Sequence, residues 1–318
     1  MDFRTIVPIS PMECKIDYQS QLVLVGSCFA ENVADKLAFY NFKHVVNPLG
    51  ILFNPVSIQN LIERGLNNRS FTEEDIFYHN ECWHSYEVHS EMSHSDKDLM
   101  LNSMNEALEL FGASLKEASH FIITLGTSWV YKEISNNAIV ANCHKVPQKS
   151  FKKYLLTVHE ITESLRNIVS LLRSYNPNLS IVFTVSPVRH LKDGYVENQR
   201  SKAHLIAAVH SLNDVRNEGS RLSYFPAYEI VMDELRDYRF YSEDMIHPNS
   251  IAIDYIWGRL VESWITSEAS KIMQEVEKIR KGLLHRPFNP DTDAHKKFLK
   301  QLEGTILSLQ NRYPFMSF

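Results

Sequence analysis

Cysteine is scarce in this chain, with four among 318 residues. No two cysteines are close enough in sequence to form a Cys-x-x-Cys metal knuckle or redox pair. In a reducing compartment we expect all of them to be free thiols. Three are interpreted as small buried hydrophobic side chains, namely Cys14, Cys82 and Cys143. Only Cys28 has a setting that can lower a thiol pKa, because it stands at an expected helix N-terminus.

Long apolar runs are also missing, and no segment approaches the length needed to span a bilayer. The N-terminal residues Met1-Asp2-Phe3-Arg4-Thr5 lack the charged and then apolar design of a signal peptide, so a cytoplasmic location is the default expectation. The net charge is −5 with both signs interspersed. Since no basic stripe with interleaved aromatics is present, neither nucleic acid nor a membrane is expected as a partner.

The chain does contain enough apolar material for one sizeable α/β core, at 44% hydrophobic residues. Apolar strands alternate with amphipathic helices, which predicts a doubly wound parallel sheet flanked by helices, a three-layer sandwich of flavodoxin-like type. Strands are expected at 21–25, 43–46, 121–125, 180–185 and 222–225, with a hairpin at 130–140. Helices are expected at 29–40, 55–66, 102–119, 155–175, 198–217 and 251–264.

Two regions fall outside this alternation. Residues 71–98 are irregular and polar and contain four histidines, at positions 79, 84, 89 and 94. The tail contains two charged amphipathic helices, at 271–283 and 294–309. We therefore expect a main domain over 1–266 and a C-terminal helical extension over 267–318. The extension packs on the main domain or mediates a homo-oligomer, and a solvated tail without a role is the alternative.

A strand-to-helix turn stands out near the N-terminus. The apolar run Val23-Leu24-Val25 stops at Gly26, and a hydroxyl, a thiol and helix-like sequence follow at once. Glycine permits the tight turn, and a helix N-terminus favours negative charge, so it can help to hold a thiolate or a developing oxyanion. This is how a chain presents a nucleophile, although many such turns contain glycine and serine without any catalytic role.

A second signal lies far downstream, in Asp244-Met245-Ile246-His247-Pro248. An acid three residues before a histidine can curl back and hold the imidazole. Asp244 would then fix the tautomer of His247 and stabilise its charged form, as the third member of a catalytic triad does. The alternative is a polar loop whose side chains cap neighbouring helices. The glycine-nucleophile turn and this motif together are much more specific than either alone.

The string Gly26-Ser27-Cys28-Phe29-Ala30 spells the signature of the GSCFA family, which looks like a branch of the SGNH (GDSL-like) hydrolase superfamily. The sequence resembles this family from about Ile6 to about Trp264. Further matching motifs are Asn47 to Pro55, Leu125 to Tyr131, Thr184 to His190 and Asp244 to His247. The resemblance implies an ester hydrolase or acyltransferase, with small-molecule or acylated carbohydrate esters as substrates and no metal or organic cofactor.

The resemblance also implies a set of catalytic residues. The superfamily nucleophile stands two residues after the glycine, which is Cys28 here, where GDSL-type enzymes have serine. Ser27 then occupies the aspartate position and is the other candidate nucleophile. His247 would deprotonate the nucleophile while Asp244 orients its ring. The nucleophile's own amide, Gly50 and the Gly126-Thr127-Ser128 element would stabilise the oxyanion, with Ser128 in place of the superfamily asparagine.

Other side chains are candidates for substrate binding. Trp129 could line a sugar pocket, with core packing as the alternative. His84 and His89 lie in the histidine-rich loop, but positions five apart face opposite sides of a strand, which disfavours a metal site. Arg189 and His190 follow a strand and could bind an anionic or carbohydrate group, or pair locally with Asp193 or Glu197.

Two other function classes remain open at this point. A binding protein that kept the fold and lost efficient chemistry is favoured by the cysteine at the nucleophile position and by Ser128 at the asparagine position. A metal-dependent phosphoesterase would use the histidine-rich loop instead.

Overall fold

The computed structural model describes residues 5–212 and 221–318, in which short buried strands alternate with helices. The strands are β1 (Leu22–Gly26), β2 (His44–Val46), β3 (Phe77–His79), β4 (Cys82–His84), β5 (His120–Leu125), β6 (Trp129–Glu133), β7 (Ile139–Val140), β8 (Phe151–Leu155), β9 (Ser180–Val185) and β10 (Leu222–Phe225). The α-helices are α1 (Cys28–Phe39), α2 (Pro55–Leu66), α3 (Lys97–Glu117), α4 (Val158–Tyr175), α5 (Tyr195–His210), α6 (Ala227–Glu229), α7 (Ser250–Trp264), α8 (Ser267–Leu284) and α9 (Asp293–Arg312).

The central sheet is parallel throughout and has the strand order β10-β9-β5-β1-β2. Every residue of β1, β5 and β9 is buried, because helices cover both faces of the sheet. Val23 and Val25 pack in one hydrophobic cluster with α2, α3, α4 and α5. Leu22 and Leu24 pack in the other, with α1, α7, α8 and α9. The predicted three-layer, doubly wound sheet is confirmed.

The strand order reverses at β1. The chain runs from β1 outward to β2 and then crosses to β5 on the other side of β1. In open α/β sheets of this kind, ligands bind in the crevice beyond the carboxyl ends of the strands at such a reversal. Ser27 and Cys28 follow β1 and Gly126 follows β5, so the predicted site motifs begin at this crevice.

The C-terminal helices pack on the outer layer of the sandwich. Ile272 and Val276 of α8 and Leu309 of α9 belong to the same buried cluster as Trp264 of α7. An ion pair between Arg312 and Glu275 joins α9 to α8. The division of the chain at residue 266 and an oligomer through these helices stay predictions. Within residues 5–212 and 221–318, every helix is too short or too polar to cross a membrane.

Several boundaries differ from the sequence prediction. The irregular region at 71–98 contains the hairpin of β3 and β4, and α3 begins at Lys97 because the Asp96 side chain caps the Leu99 amide at 2.9 Å. Strand β8 was not predicted and pairs antiparallel with β6, in a small sheet ordered β7-β6-β8. The predicted hairpin at 130–140 forms through β6 and β7. The helix predicted at 198–217 is α5, and positions 213–217 lie outside the described residues.

Candidate functional site

The turn after β1 separates the roles of Ser27 and Cys28. Gly26 has φ +146°, and a Cβ there would lie 2.2 Å from the Thr124 carbonyl oxygen on β5, so only glycine fits. Ser27 caps α1, and its buried hydroxyl accepts a hydrogen bond from the Phe29 amide at 3.3 Å. Cys28 is the first helical residue and is partly exposed. Of the two side chains, only the Cys28 thiol is therefore partly exposed.

The groups around Cys28 shift the pKa of its thiol in opposite directions. Burial, and then the nearby Glu31 carboxylate, raise the pKa of the thiol above its ordinary value. The Lys202 ammonium and the amides of Cys28 and Phe29 act in the opposite direction. The first amides of a helix have no partner within it, so the Cys28 amide can serve as a donor. The net shift is upward, so the expectation that this setting lowers the thiol pKa is wrong.

Asn47 ties the loop after β2 to this turn. Its Oδ1 accepts a hydrogen bond from the Gly26 amide at 2.9 Å, and its Nδ2 donates to Glu31 at 3.3 Å. The Gly50 amide donates to the Asn47 carbonyl at 2.8 Å, and Gly50 has φ +79°. The Gly50 N–H is therefore engaged within its own loop. This corrects the expectation that it would be a free oxyanion donor.

Ser128 is also placed differently from the expectation. It is fully buried, and its hydroxyl donates to the Ser201 carbonyl on α5 at 3.1 Å. The hydroxyl is thus directed into the protein and away from a substrate. Gly126, two residues earlier, does face the turn, because Ser27 Cβ lies 3.4 Å from the point that a Gly126 Cβ would occupy. Of the two residues, only Gly126 contacts the site.

The predicted contact between Asp244 and His247 forms. Nδ1 of His247 lies 2.6 Å from Oδ2 of Asp244, and the other carboxylate oxygen accepts the amides of Ile246 and His247. These hydrogen bonds lower the pKa of Asp244 to about 2. His247 is half exposed. With Nδ1 held by the carboxylate, Nε2 is the nitrogen left to exchange a proton.

His190 relates this pair to the turn after β1, through an electrostatic effect on one side and a short distance on the other. His247 is close enough to His190 to lower the pKa of His190 electrostatically. Nε2 of His190 lies 3.3 Å from the point that a Gly126 Cβ would occupy, beside Ser27. The loops after β1, β5 and β9 therefore meet around His190 and Gly126, and His247 lies within electrostatic range of the His190 ring.

A cavity of about 410 Å³ opens beside these loops. Phe53, Thr127 and His190 line the side next to the turn, and Trp129 and His144 line the remainder together with apolar side chains and several polar ones, including three lysines. Two of the predicted substrate-binding residues, Trp129 and His190, thus face one space. The space is large enough for a substituent on a reacting ester.

The other three candidates for substrate binding lie outside this cavity, and their role in binding stays a prediction. Both ring nitrogens of His84 have protein partners, Ser93 Oγ at 2.7 Å and the His79 carbonyl at 2.9 Å. His89 packs against Gly50, with its Cβ 2.3 Å from the point that a Gly50 Cβ would occupy. His84 and His89 do not line the cavity, because they support the loop behind it.

Arg189 does not line the cavity either. Its guanidinium carbon lies 4.3 Å from the centroid of the Tyr241 ring and 5.6 Å from that of Tyr238. The alternative of local pairing is wrong, because Asp193 pairs with Lys153 and Glu197 with Arg200. Arg189 instead joins the loop after β9 to the segment before His247.

Sequence reasoning missed Lys202, which lies fully buried beneath the site. Its Nζ donates to the carbonyls of Gly126 and Ser186, each at 2.7 Å. Burial lowers the pKa of this ammonium to about 7, and Cys28 acts in the opposite direction. Its sequence signal was present: Lys202 falls on the buried stripe of α5, with Asn198, Ser201 and Leu205 at helical spacing.

Within the part of the chain that the structure describes, no three His, Cys, Asp or Glu side chains converge as metal ligands would. The histidines of the loop at 71–98 include His84, whose nitrogens are already occupied. A cation site built on this loop is therefore not supported by its geometry.

Comparison with known families gives a clear assignment. The model of the GSCFA family matches residues 21–260. The chain belongs to the GSCFA family. A second model, for the C-terminal domain of GSCFA domain proteins, matches residues 276–318 and so covers the second half of α8 and all of α9. None of the curated proteins matches the chain in sequence.

Two solved structures align with most of this GSCFA chain at low similarity. A carbohydrate esterase family 3 protein from Talaromyces cellulolyticus is 9% identical, with 81% of this chain and 99% of that chain covered and a TM-score of 0.35. A mutant acetyl esterase with an acetate ion is 10% identical, with 82% and 99% covered and a TM-score of 0.35. Similarity at this level does not bear on the activity of this chain.

Proposed function

We propose that the protein cleaves or transfers ester-linked acyl groups of small molecules or carbohydrates, in the manner of SGNH hydrolases, with Cys28 as nucleophile. The observation that carries the proposal is the half-exposed His247, held through Nδ1 by Asp244 and within electrostatic range of His190, whose ring lies beside Gly126 and the turn with Cys28. A nucleophile, a base and a group that orients the base are the elements that acyl transfer requires.

The reaction proceeds in two steps. Nε2 of His247 takes the proton of the Cys28 thiol while sulfur attacks the ester carbonyl, so a C–S bond forms and the carbonyl π electrons move to oxygen. The Cys28 amide donates a hydrogen bond to that oxygen. The tetrahedral adduct collapses to a thioester and expels the alcohol, which receives the proton from His247. Water, or an acceptor hydroxyl in a transferase, then gives its proton to His247 and adds to the thioester carbonyl. The C–S bond breaks, the acyl group leaves with the new oxygen, and the Cys28 sulfur takes the proton back from His247.

The cavity beside the site supplies room for one side of the ester. Its walls include Trp129, Tyr131 and Phe151, and these apolar surfaces suit an acyl group or the face of a sugar ring. Because His190 and Phe53 belong both to this lining and to the surroundings of Gly126, a substituent placed here would leave the carbonyl near Cys28.

A panel of acetyl and longer-chain esters, assayed with the native protein and its variants, tests the proposal. We expect turnover to be lost in Cys28→Ala and His247→Ala and retained in Ser27→Ala, because the Ser27 hydroxyl is buried as a helix cap. Cys82→Ala, which removes another partly exposed thiol, is the matched control and should behave as the native protein does. Equal activity in all variants would place the chemistry elsewhere.

A non-catalytic binding protein is the second candidate. The raised pKa of Cys28 and the engaged donors at Gly50 and Ser128 favour it. It predicts no turnover of any ester, together with saturable binding of an ester or its product. Trp129→Ala would then weaken that binding, whereas Cys28→Ala would leave it unchanged.

A further inference from the structure

The cavity beside the site carries more positive than negative charge. Its described lining contains three lysines, Lys145, Lys153 and Lys192, and a single carboxylate, that of Asp193. Asp193 pairs with Lys153, so these two charges offset each other. Lys145 and Lys192 have no ion pair within the part of the chain that the structure describes. The cavity therefore keeps a charge of about +2 at neutral pH.

Lys192 lies on a turn that is anchored at the next residue. Asp193 ties this turn to Lys153 of β8 through their ion pair. The charge of Lys192 also reaches the cavity wall: burial raises the pKa of the Cys143 thiol, which lines the same cavity, and the Lys192 ammonium acts in the opposite direction. A ligand in the cavity would therefore lie within the field of this ammonium.

Lys145 lies on a second turn, whose backbone is held in an unfavourable conformation. His144 and Lys145 have φ +46° and +60°, and such values cost free energy in residues that have a side chain. His144 is buried, with Nε2 2.6 Å from the Ser85 carbonyl, and its amide donates to Oδ1 of Asn142 at 2.8 Å. The buried histidine thus fixes the turn that places Lys145 at the cavity.

Trp129 and Tyr131 give this cavity an aromatic surface. The Lys153 ammonium lies 5.0 Å from the centroid of a Trp129 ring and 5.6 Å from that of Tyr131. The Trp129 indole donates to the Glu197 carbonyl at 3.2 Å, which fixes the plane of the ring. Aromatic faces pack well against other rings. The cavity therefore combines a surface for a ring with two unpaired positive charges.

We propose that the ester substrate carries an anionic group, a carboxylate or a phosphate, and that Lys145 and Lys192 bind this group while its ring packs against Trp129. The two lysines determine specificity and take no part in making or breaking bonds. Assigning the anion to the substrate of Cys28 rests on the proposed function. A cationic substrate is disfavoured, because it would bring like charges together in the cavity.

Three acetate esters built on the same ring test the proposal. para-Acetoxybenzoate and para-acetoxyphenyl phosphate carry the two anions, and para-acetoxybenzamide is neutral. The measurement is kcat/KM for each ester in the native protein, Lys145→Gln and Lys192→Gln. Dividing each variant's value by the native value cancels the differing reactivity of the esters. Lys152→Gln is the matched control, because Lys152 is exposed on β8 and does not line the cavity.

We expect each cavity variant to lower kcat/KM for the anionic esters about two- to fivefold, through a higher KM, and to leave the value for the benzamide unchanged. Lys152→Gln should behave as the native protein does with all three esters. Added salt should reduce the preference of the native protein for the anionic esters, because it screens the lysine charges. A loss confined to one of the anionic esters would support the site and identify its anion.

Failure of this proposal can be told from failure of the proposed function. Equal variant-to-native ratios for the anionic and neutral esters would overturn the anion site and leave the proposed function standing. If no ester is hydrolysed, the proposed function fails, and calorimetry of the native protein with para-hydroxybenzoate and para-hydroxybenzamide still decides the anion site. Tighter binding of the benzoate that is lost in Lys192→Gln would support the site, whereas equal binding of the two compounds would overturn it.

Discussion

Oδ2 of Asp244 lies 2.6 Å from Nδ1 of His247, while Oδ1 of the same carboxylate accepts two backbone amides. The carboxylate is thus fixed by the loop before it orients the ring. This arrangement holds the proton on Nδ1 and leaves Nε2 to act as the base. All of these hydrogen bonds form within residues 244–247, so the contact is local in sequence.

Replacing Asp244 by asparagine should remove catalysis while leaving the fold intact. The amide cannot hold the same tautomer, so we expect kcat for ester turnover to fall by roughly two to four orders of magnitude. Steady-state kinetics with the best ester of the panel measures the change. Glu243→Gln, a neutral substitution at the adjacent exposed acid, is the control and should retain full activity. An unchanged kcat in Asp244→Asn would show that His247 is not the base.

Replacing Lys202 by methionine should make the Cys28 thiol harder to ionise. The ammonium lowers the pKa of Cys28, and Cys28 raises the pKa of Lys202, so the thiolate and the ammonium stabilise each other. Its removal raises the pH at which iodoacetamide alkylation of Cys28 becomes fast. Each unit of rise lowers the thiolate fraction about tenfold at a pH below the pKa.

The pH profile of alkylation, followed on the Cys28 peptide by mass spectrometry, measures that shift for Lys202→Met. Its midpoint does not depend on the amount of folded protein, so a loss of stability would not imitate the effect. The Gly126 and Ser186 carbonyls lose a donor in this variant, and a lower unfolding temperature is therefore expected as well. An unmoved midpoint would contradict the electrostatic role of Lys202.

Much of the fold follows from local sequence. The strand predicted at 180–185 and the helix predicted at 55–66 have the observed bounds. The strand is buried along its whole length and reads as a continuous apolar run. The helix starts where the Asn54 side chain accepts the Ser57 amide at 2.9 Å and Pro55 opens the first turn. Strand β8 was missed because Phe151 to Leu155 contains two lysines and becomes a strand only through its pairing with β6.

The candidate site likewise has features that local sequence predicts and features that depend on the tertiary structure. The contact between Asp244 and His247 depends on spacing along a single loop, and the sequence predicts it. The amide of Gly50 is engaged by a turn that starts at Asn47, and the proline and glycine of Asn47-Pro48-Leu49-Gly50 are typical of such a turn. The approach of His190 to Gly126 depends on the parallel pairing of β5 with β9, which brings the loops after both strands together. Contacts between side chains in loops that follow different strands therefore cannot be predicted from local sequence and are seen only in the structure.

Asn47 should be essential for the stability of the nucleophile turn. Replacement by alanine leaves the buried Gly26 amide without its acceptor and puts alanine at φ +39°. We expect a loss of about 1–3 kcal/mol in the free energy of unfolding, measured by urea denaturation. Asn68→Ala is the matched control, because Asn68 also has positive φ but is exposed. Equal losses in the two variants would show that backbone strain alone accounts for the effect.

Acid should destabilise the protein through His144, which is buried beside the cavity with Nε2 2.6 Å from the Ser85 carbonyl. Burial, and to a lesser extent His84 and His89, lower the pKa of His144 to about 4 from its ordinary value of 6.5. Between these two pH values the unfolded chain binds more protons than the folded one, so stability decreases as the pH falls through this window and levels off below it. The contribution is at most about 3 kcal/mol.

Urea denaturation at a series of pH values should therefore show a weaker acid dependence in His144→Asn than in the native protein. The control is His159→Asn, at an exposed position on α4, which should keep the native dependence. A native slope in His144→Asn would mean that other groups, such as His190, account for the loss in acid.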